Sequence, residues 1–132
     1  TGEVVWSLGE GGDFELLGGS WPIHQHSQVL LDDGLLMHDN GDSARGASRA
    51  VQYQLDEQAM TAIQVWEYST DPPGFSAVLG DVDRLPDDST AITWCVSGQI
   101  DVVSPEGELI WQLTGSLRTR FGYGLWLDSL YP

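Results

Sequence analysis

The sequence predicts an all-β chain made of β-propeller blades, about two four-stranded antiparallel blades with an extra strand at each end, on three observations. A turn followed by a short β-rich run ending in Trp occurs three times: Thr1-Gly2-Glu3-Val4-Val5-Trp6, Thr61-Ala62-Ile63-Gln64-Val65-Trp66 and Glu106-Gly107-Glu108-Leu109-Ile110-Trp111. Upstream of the later two, a strand, an acidic turn and a second strand recur, once from Val29 to Leu36 around Asp32-Asp33-Gly34 and once from Val82 to Ile92 around Pro86-Asp87-Asp88. That order is a hairpin signature. No stretch combines a 3.6-residue apolar period with capping residues, so no helix is expected.

Taken in order, residues 1–8 read as the last strand of a preceding blade. Residues 20–68 form a blade with strands at 28–31, 35–38, 50–55 and 62–68, and residues 76–114 a second with strands at 78–85, 90–96, 100–104 and 108–113. Residues 120–132 read as a closing strand, centred on 124–130. Short antiparallel strands in fours, repeating at a fixed spacing, are the mark of propeller blades. The Trp of the last strand supplies a large flat side chain to pack between neighbours. A sandwich of eight or more strands is the alternative, and it leaves the repeated turn-to-Trp element unexplained. Blades bury their faces only against neighbours, and unpaired strand edges invite association. The chain is therefore expected to be a partial ring, completed as a homo-oligomer or by the remainder of a larger propeller.

Composition narrows the partners. Of 132 residues, 41 % are hydrophobic, enough for one packed domain. No apolar run approaches the roughly 18 residues of a membrane span. With no signal-peptide pattern and a first residue of Thr1, the sequence reads as a processed chain or a fragment of a longer one. Twenty acidic residues against five basic ones, all Arg, give a net charge of −15. Such a surface repels nucleic-acid phosphate and anionic lipid, so neither nucleic acid nor membrane is an expected partner. It serves solubility, or adaptation to a saline habitat in which counter-ions screen the repulsion. The single Cys95 lies in the apolar run Ala91-Ile92-Thr93-Trp94-Cys95-Val96 and is expected to be a buried structural thiol.

Polar chemistry concentrates in Trp21-Pro22-Ile23-His24-Gln25-His26 and Met37-His38-Asp39-Asn40-Gly41-Asp42, which hold all three His of the chain. His-x-His on a strand puts both imidazoles on one face, as two metal ligands need, and His38 is within reach on the hairpin partner. The same histidines equally suit hydrogen bonding near an acidic surface, and no metal is assigned. Asp39-Asn40-Gly41-Asp42-Ser43 lacks the alternating ligands and later Glu of a calcium loop and reads as an Asn-Gly turn. Arg45 and Arg49 follow that turn; a planar guanidinium suits sulfate, phosphate or carboxylate, and equally a neighbouring Asp39 or Asp42. There is no Gly-rich phosphate loop, no Gly-x-Ser-x-Gly elbow and no cofactor motif, so no cofactor is expected.

In order along the chain, Gln25-His26-Ser27, Asp33-Gly34-Leu35-Leu36-Met37-His38-Asp39-Asn40-Gly41, Ser48-Arg49-Ala50-Val51-Gln52-Tyr53-Gln54-Leu55-Asp56 and Val65-Trp66-Glu67-Tyr68 resemble the bacterial arylsulfotransferase family. Its members carry a Gln-His pair, a Phe-Asp-Asn-Gly turn, a Ser-Arg-x-x-Glu-Tyr strand and a Val-Trp-Glu-Tyr strand at similar spacing. Gly80 to Asp87 and the terminal Ser129-Leu130-Tyr131-Pro132 are also similar to the family's closing blades. The resemblance implies the C-terminal portion of a six-bladed propeller from exported enzymes, secreted or periplasmic, that move a sulfuryl group between phenols through a sulfated histidine. It implies His26 and Arg45 as catalytic residues. His24, Asn40 and Arg49 are the candidate substrate contacts. The family's nucleophilic His corresponds to the stretch Ser97-Gly98-Gln99-Ile100, and this chain has no His after His38. The Tyr-Arg-Ala element that often precedes the end is replaced by Phe121-Gly122-Tyr123-Gly124. The expectation is a catalytically altered or inactive segment binding an anion or small aromatic, such as sulfate, near His26 and Arg45. The alternatives are part of an active transferase completed by further blades, or a self-associating structural or protein-binding half-ring.

Overall fold

A computed structural model describes residues 2–116 and 119–127. They form two open β-sheets and, among the described residues, no helix. In chain order the strands are β1 (Glu15–Gly18), β2 (Gln25–Leu31), β3 (Gly34–Asp39), β4 (Arg49–Asp56), β5 (Thr61–Tyr68), β6 (Asp81–Arg84), β7 (Thr90–Trp94), β8 (Gln99–Val103) and β9 (Leu109–Thr114). The first sheet has the order β1-β5-β4-β3-β2 and the second β6-β7-β8-β9. Apart from β1, which lies parallel to β5, every neighbour is antiparallel and follows its partner in sequence.

The eight strands expected from the sequence all form, with ends shifted by a few residues. The Asp32-Asp33 turn closes the β2–β3 hairpin, with Leu31 opposite Gly34. The ends differ from expectation. Residues 2–8 join neither sheet, and Val4 and Val5 are 85 % and 88 % exposed. A strand needs a ladder partner to satisfy its amides, and none runs beside these residues among those described. The edge beside β5 is occupied by β1 instead. Of the expected strand at 124–130, residues 124–127 are in no ladder, and 128–130 lie outside the described residues.

Alternation along the strands divides the apolar residues between two layers. Leu36 and Ala50 of the first sheet meet Val82, Ile92, Trp94 and Val103 of the second, with Val29, Leu31, Trp66 and Tyr68 packed around them. Met37, Val51 and Tyr53 point to the opposite face, where Leu8, Leu16 and Trp21 cover them. Each fully buried Val, Leu, Ile or Met side chain among them contributes about 1.5–3 kcal/mol. The Trp of the repeated element behaves as expected at Trp66, which packs between the sheets with the Arg84 guanidinium 5.9 Å from its ring. Cys95 is a buried free thiol, as expected.

At the floor of the inter-sheet layer Trp94 Nε1 donates to Asp101 Oδ2 at 2.8 Å, and the Gln99 and Gln112 side-chain amides also donate to this carboxylate. A buried charge is tolerated when its lone pairs are occupied in this way. Gly80, at φ +112°, lets the chain before β6 pass directly over the His38 ring. A Cβ there would collide with the imidazole and would hold a side chain in a conformation that L residues rarely adopt. Gly80→Ala is expected to cost about 1–3 kcal/mol in chemical denaturation.

Candidate functional site

The polar cluster anticipated in the sequence assembles where β2 begins and β3 ends. Strand β2 opens irregularly: His24 and Ser27 have φ of +58° and +47°, and the register slips between His26 and Gln28. Positive φ at non-glycine residues is uncommon and has to be held in place by surrounding contacts. Here Ile23 N–H donates to Asp39 Oδ1 at 2.8 Å, Gly41 N–H donates to the Ile23 carbonyl at 2.8 Å, and the Ser27 hydroxyl bonds Asp81 of β6. The bulge re-aims His26 toward the loop after β3.

There His26 Nδ1 lies 2.6 Å from Asn40 Oδ1. Asn40 is fully buried, and its Nδ2 donates to two carbonyls, Ser76 at 2.7 Å and Leu79 at 2.8 Å. An amide that spends both N–H bonds on carbonyls has only its oxygen left for His26. His26 Nδ1 must therefore be the donor, and in the neutral imidazole the lone pair sits on Nε2. The Ser48 hydroxyl donates to the Asn40 carbonyl at 2.8 Å and accepts from Ser76 N–H at 2.9 Å, tying the loops together. The His24 ring is exposed and meets His26 edge-on at 5.3 Å between centroids.

Arg45 and Arg49 converge on Asp39. Arg45 Nη1 and Arg49 Nε donate to Asp39 Oδ2 at 2.7 and 2.9 Å. The other Arg45 nitrogens reach the carbonyls of Ala47 and Asp39. Arg49 Nη1 pairs with Glu67 at 2.8 Å, and Nη2 donates to the Ser20 carbonyl at 3.1 Å. Between the two partners left open by composition, Asp39 takes the Arg side chains, while Asp42 accepts from Ala44 N–H and Arg45 N–H within the turn. Every guanidinium nitrogen thus has a partner in the chain, and none of these hydrogen bonds goes to His26.

Burial opposes ionisation of Asp39, but the hydrogen bonds from Arg45, Ile23 N–H and Arg49, with the Arg45 charge, outweigh it and lower its pKa. Burial likewise opposes the charge on Arg49, and Asp39 and Glu67 hold its pKa above the ordinary value. The Tyr53 phenol, whose hydroxyl donates to the Ser20 carbonyl, is pushed up to about 12, chiefly by burial and against the Arg49 charge. His38, opposite His26 in the ladder, is buried edge-on to Trp94 at 5.3 Å. Among the described residues no three His, Cys, Asp or Glu side chains are grouped closely enough to hold a metal ion.

The structure therefore brings together His24, His26 and Asn40 on one side of the loop, and Arg45 and Arg49 about Asp39 on the other. Sequence reasoning did not single out Glu67, which pairs with Arg49, or the Ser76 and Leu79 carbonyls that orient Asn40. A backbone carbonyl leaves no compositional mark, whereas Glu67 lay in the quoted Val-Trp-Glu-Tyr strand.

No curated protein matches the chain. Residues 1–114, which contain all nine strands and every candidate site residue, match the family model described as arylsulfotransferase (ASST). With its two all-β sheets and a match across most of its length, the chain belongs to the arylsulfotransferase family.

Proposed function

We propose that the chain is an arylsulfotransferase-like propeller segment, catalytically altered or inactive by itself, that binds sulfate or a small aromatic sulfate at His26. The observation that carries this reading is the Asn40-fixed imidazole: Nδ1 is committed to Asn40, so Nε2 is the atom left for a ligand. Neutral, it accepts a phenol hydroxyl; protonated, it donates to a sulfate oxygen. His24 is placed to share that contact. Arg45 acts at one remove, by fixing Asp39 and the turn that carries Asn40. Loss of transfer activity is supported by the absence of any His after His38, where the family's nucleophile would stand.

The two sheets, each with four antiparallel strands that follow one another in chain order and packed face to face, are read as propeller blades. Further copies or the remainder of a larger propeller would complete the ring, in a secreted or periplasmic setting. Exposed Ile110 and Leu113 on the outer strand β9 support a covered edge in the full assembly.

The test is nitrophenyl sulfate, with a phenol as acceptor. Perturbation of the His26 ring resonances without release of nitrophenol is expected. His26→Ala should remove that binding while changing stability by no more than about 1 kcal/mol, because the side chain is half-buried at a strand end. His26-dependent release of nitrophenol would overturn the inactive reading, and an unperturbed His26 would overturn the site.

A further inference from the structure

We propose that a cavity between the two sheets is a second binding site, built for a small organic cation with an aromatic body. The cavity, of about 600 Å³, is within the size range of small-molecule sites. Its apolar walls come from Tyr68 at the end of β5, from Pro72 and Phe75 after it, and from Trp94 and Leu109 of the second sheet. None of His24, His26, Asn40, Arg45 or Arg49 lines it; Ser76, whose carbonyl holds Asn40, borders both this cavity and the site at His26.

The polar groups on its lining have a definite sense. Gln99 Nε2 donates to both oxygens of Asp101 at 2.9 Å, and Gln112 Nε2 donates to one at 3.0 Å. An ionised carboxylate only accepts, so both amides are turned with N–H toward Asp101, and each retains Oε1 as an acceptor for a ligand. Asp71 is the charged side chain among the described lining residues. The Tyr68 phenol is raised by burial and then by the charges of Asp101 and Asp71, which places this wall in a negative field. Amide acceptors, a carboxylate and aromatic faces together favour an ammonium group carried on an aryl or arylalkyl body. An anionic aryl ligand meets the opposite field.

Phenethylammonium, phenethyl alcohol and phenylacetate share one aromatic body and differ in charge, and titration followed by amide NMR separates them. Phenethylammonium is expected to shift the side-chain amides of Gln99 and Gln112 and the backbone of residues 69–76. It should bind about tenfold more tightly than the alcohol, with phenylacetate weakest. Leu109→Arg, a change at a half-exposed rim position that the fold tolerates, should remove most cation binding by placing a like charge there. Asp71→Asn should weaken it about threefold, as for a solvent-exposed ion pair. Equal binding of phenylacetate, shifts confined to other surfaces, or no saturable binding would each overturn the proposal.

Discussion

Asp39→Ala is expected to destabilise the fold by about 3–5 kcal/mol, the largest single effect at the candidate site. Asp39 is fully buried, and four donors converge on it: Ile23 N–H, Gly41 N–H, Arg45 Nη1 and Arg49 Nε. Removing the carboxylate leaves Arg49, a residue only 7 % exposed, with Glu67 as its remaining counter-charge. It also frees the turn that carries Asn40. Asp39→Asn keeps an acceptor for the two backbone amides and removes the charge, so the difference between the variants separates turn geometry from charge pairing. Arg45 is more exposed than Arg49, its side chain at 24 % against 9 %. Arg45→Met should therefore cost about 1 kcal/mol, and Arg49→Met distinctly more. Denaturant unfolding of the four variants measures this order. A cost below about 1 kcal/mol for Asp39→Ala would show that the cluster is a solvated surface network, contrary to its burial. The carboxylate's depressed pKa gives the same contribution a pH sign. It is present above the ordinary Asp range and lost as pH falls through the lower folded value.

What the sequence made legible follows from how local each signal is. The β2–β3 hairpin was visible because Asp32-Asp33-Gly34 and its flanking apolar residues act within ten positions, and β7, β8 and β9 for the same reason. Strand β1 was not visible. It has four residues, ends at Gly18, and exists only because β5, more than forty residues later, offers an edge in parallel register. Residues 2–8 carry the same turn-to-Trp pattern as β5 and β9, yet join no sheet; a pattern marks strand propensity, and a ladder needs a partner. At the site, the residue pattern pointed to His24, His26, Arg45 and Arg49, and the family resemblance added Asn40, but neither could rank their partners. The decisive fact, that Asn40 spends both N–H bonds on Ser76 and Leu79 carbonyls, depends on a loop 36 to 39 residues away. His38 and His26 are indistinguishable as residue types, and the ladder and bulge send one into the core and leave the other at the strand end.

Between about pH 6.5 and pH 4, folding stability should fall by about 3 kcal/mol through His38 alone. The ring is fully buried against Trp94 and Gly80, and neither of its nitrogens has a hydrogen-bond partner. Burial, then the charge of His26, lower its pKa to about 4, with Asp39 and Asp81 acting in the opposite sense. The unfolded chain binds the proton near pH 6.5 and the folded chain only near pH 4. Acidification thus favours the unfolded state across the interval: stability is complete above it, declines through it, and levels off below. The Asp39 contribution is lost only below the ordinary Asp range, while Asp83, raised by burial and by Asp81, acts weakly in the opposite sense. His38→Phe keeps an aromatic ring against Trp94 and removes the proton site. Its stability at neutral pH can drop through overpacking against Gly80, so the slope with pH is the quantity to compare. Denaturant titrations at several pH values should show a steep slope in the wild type and a nearly flat one in His38→Phe. Parallel slopes would mean that the acid sensitivity lies in the carboxylates and that His38 finds a hydrogen-bond acceptor when it charges.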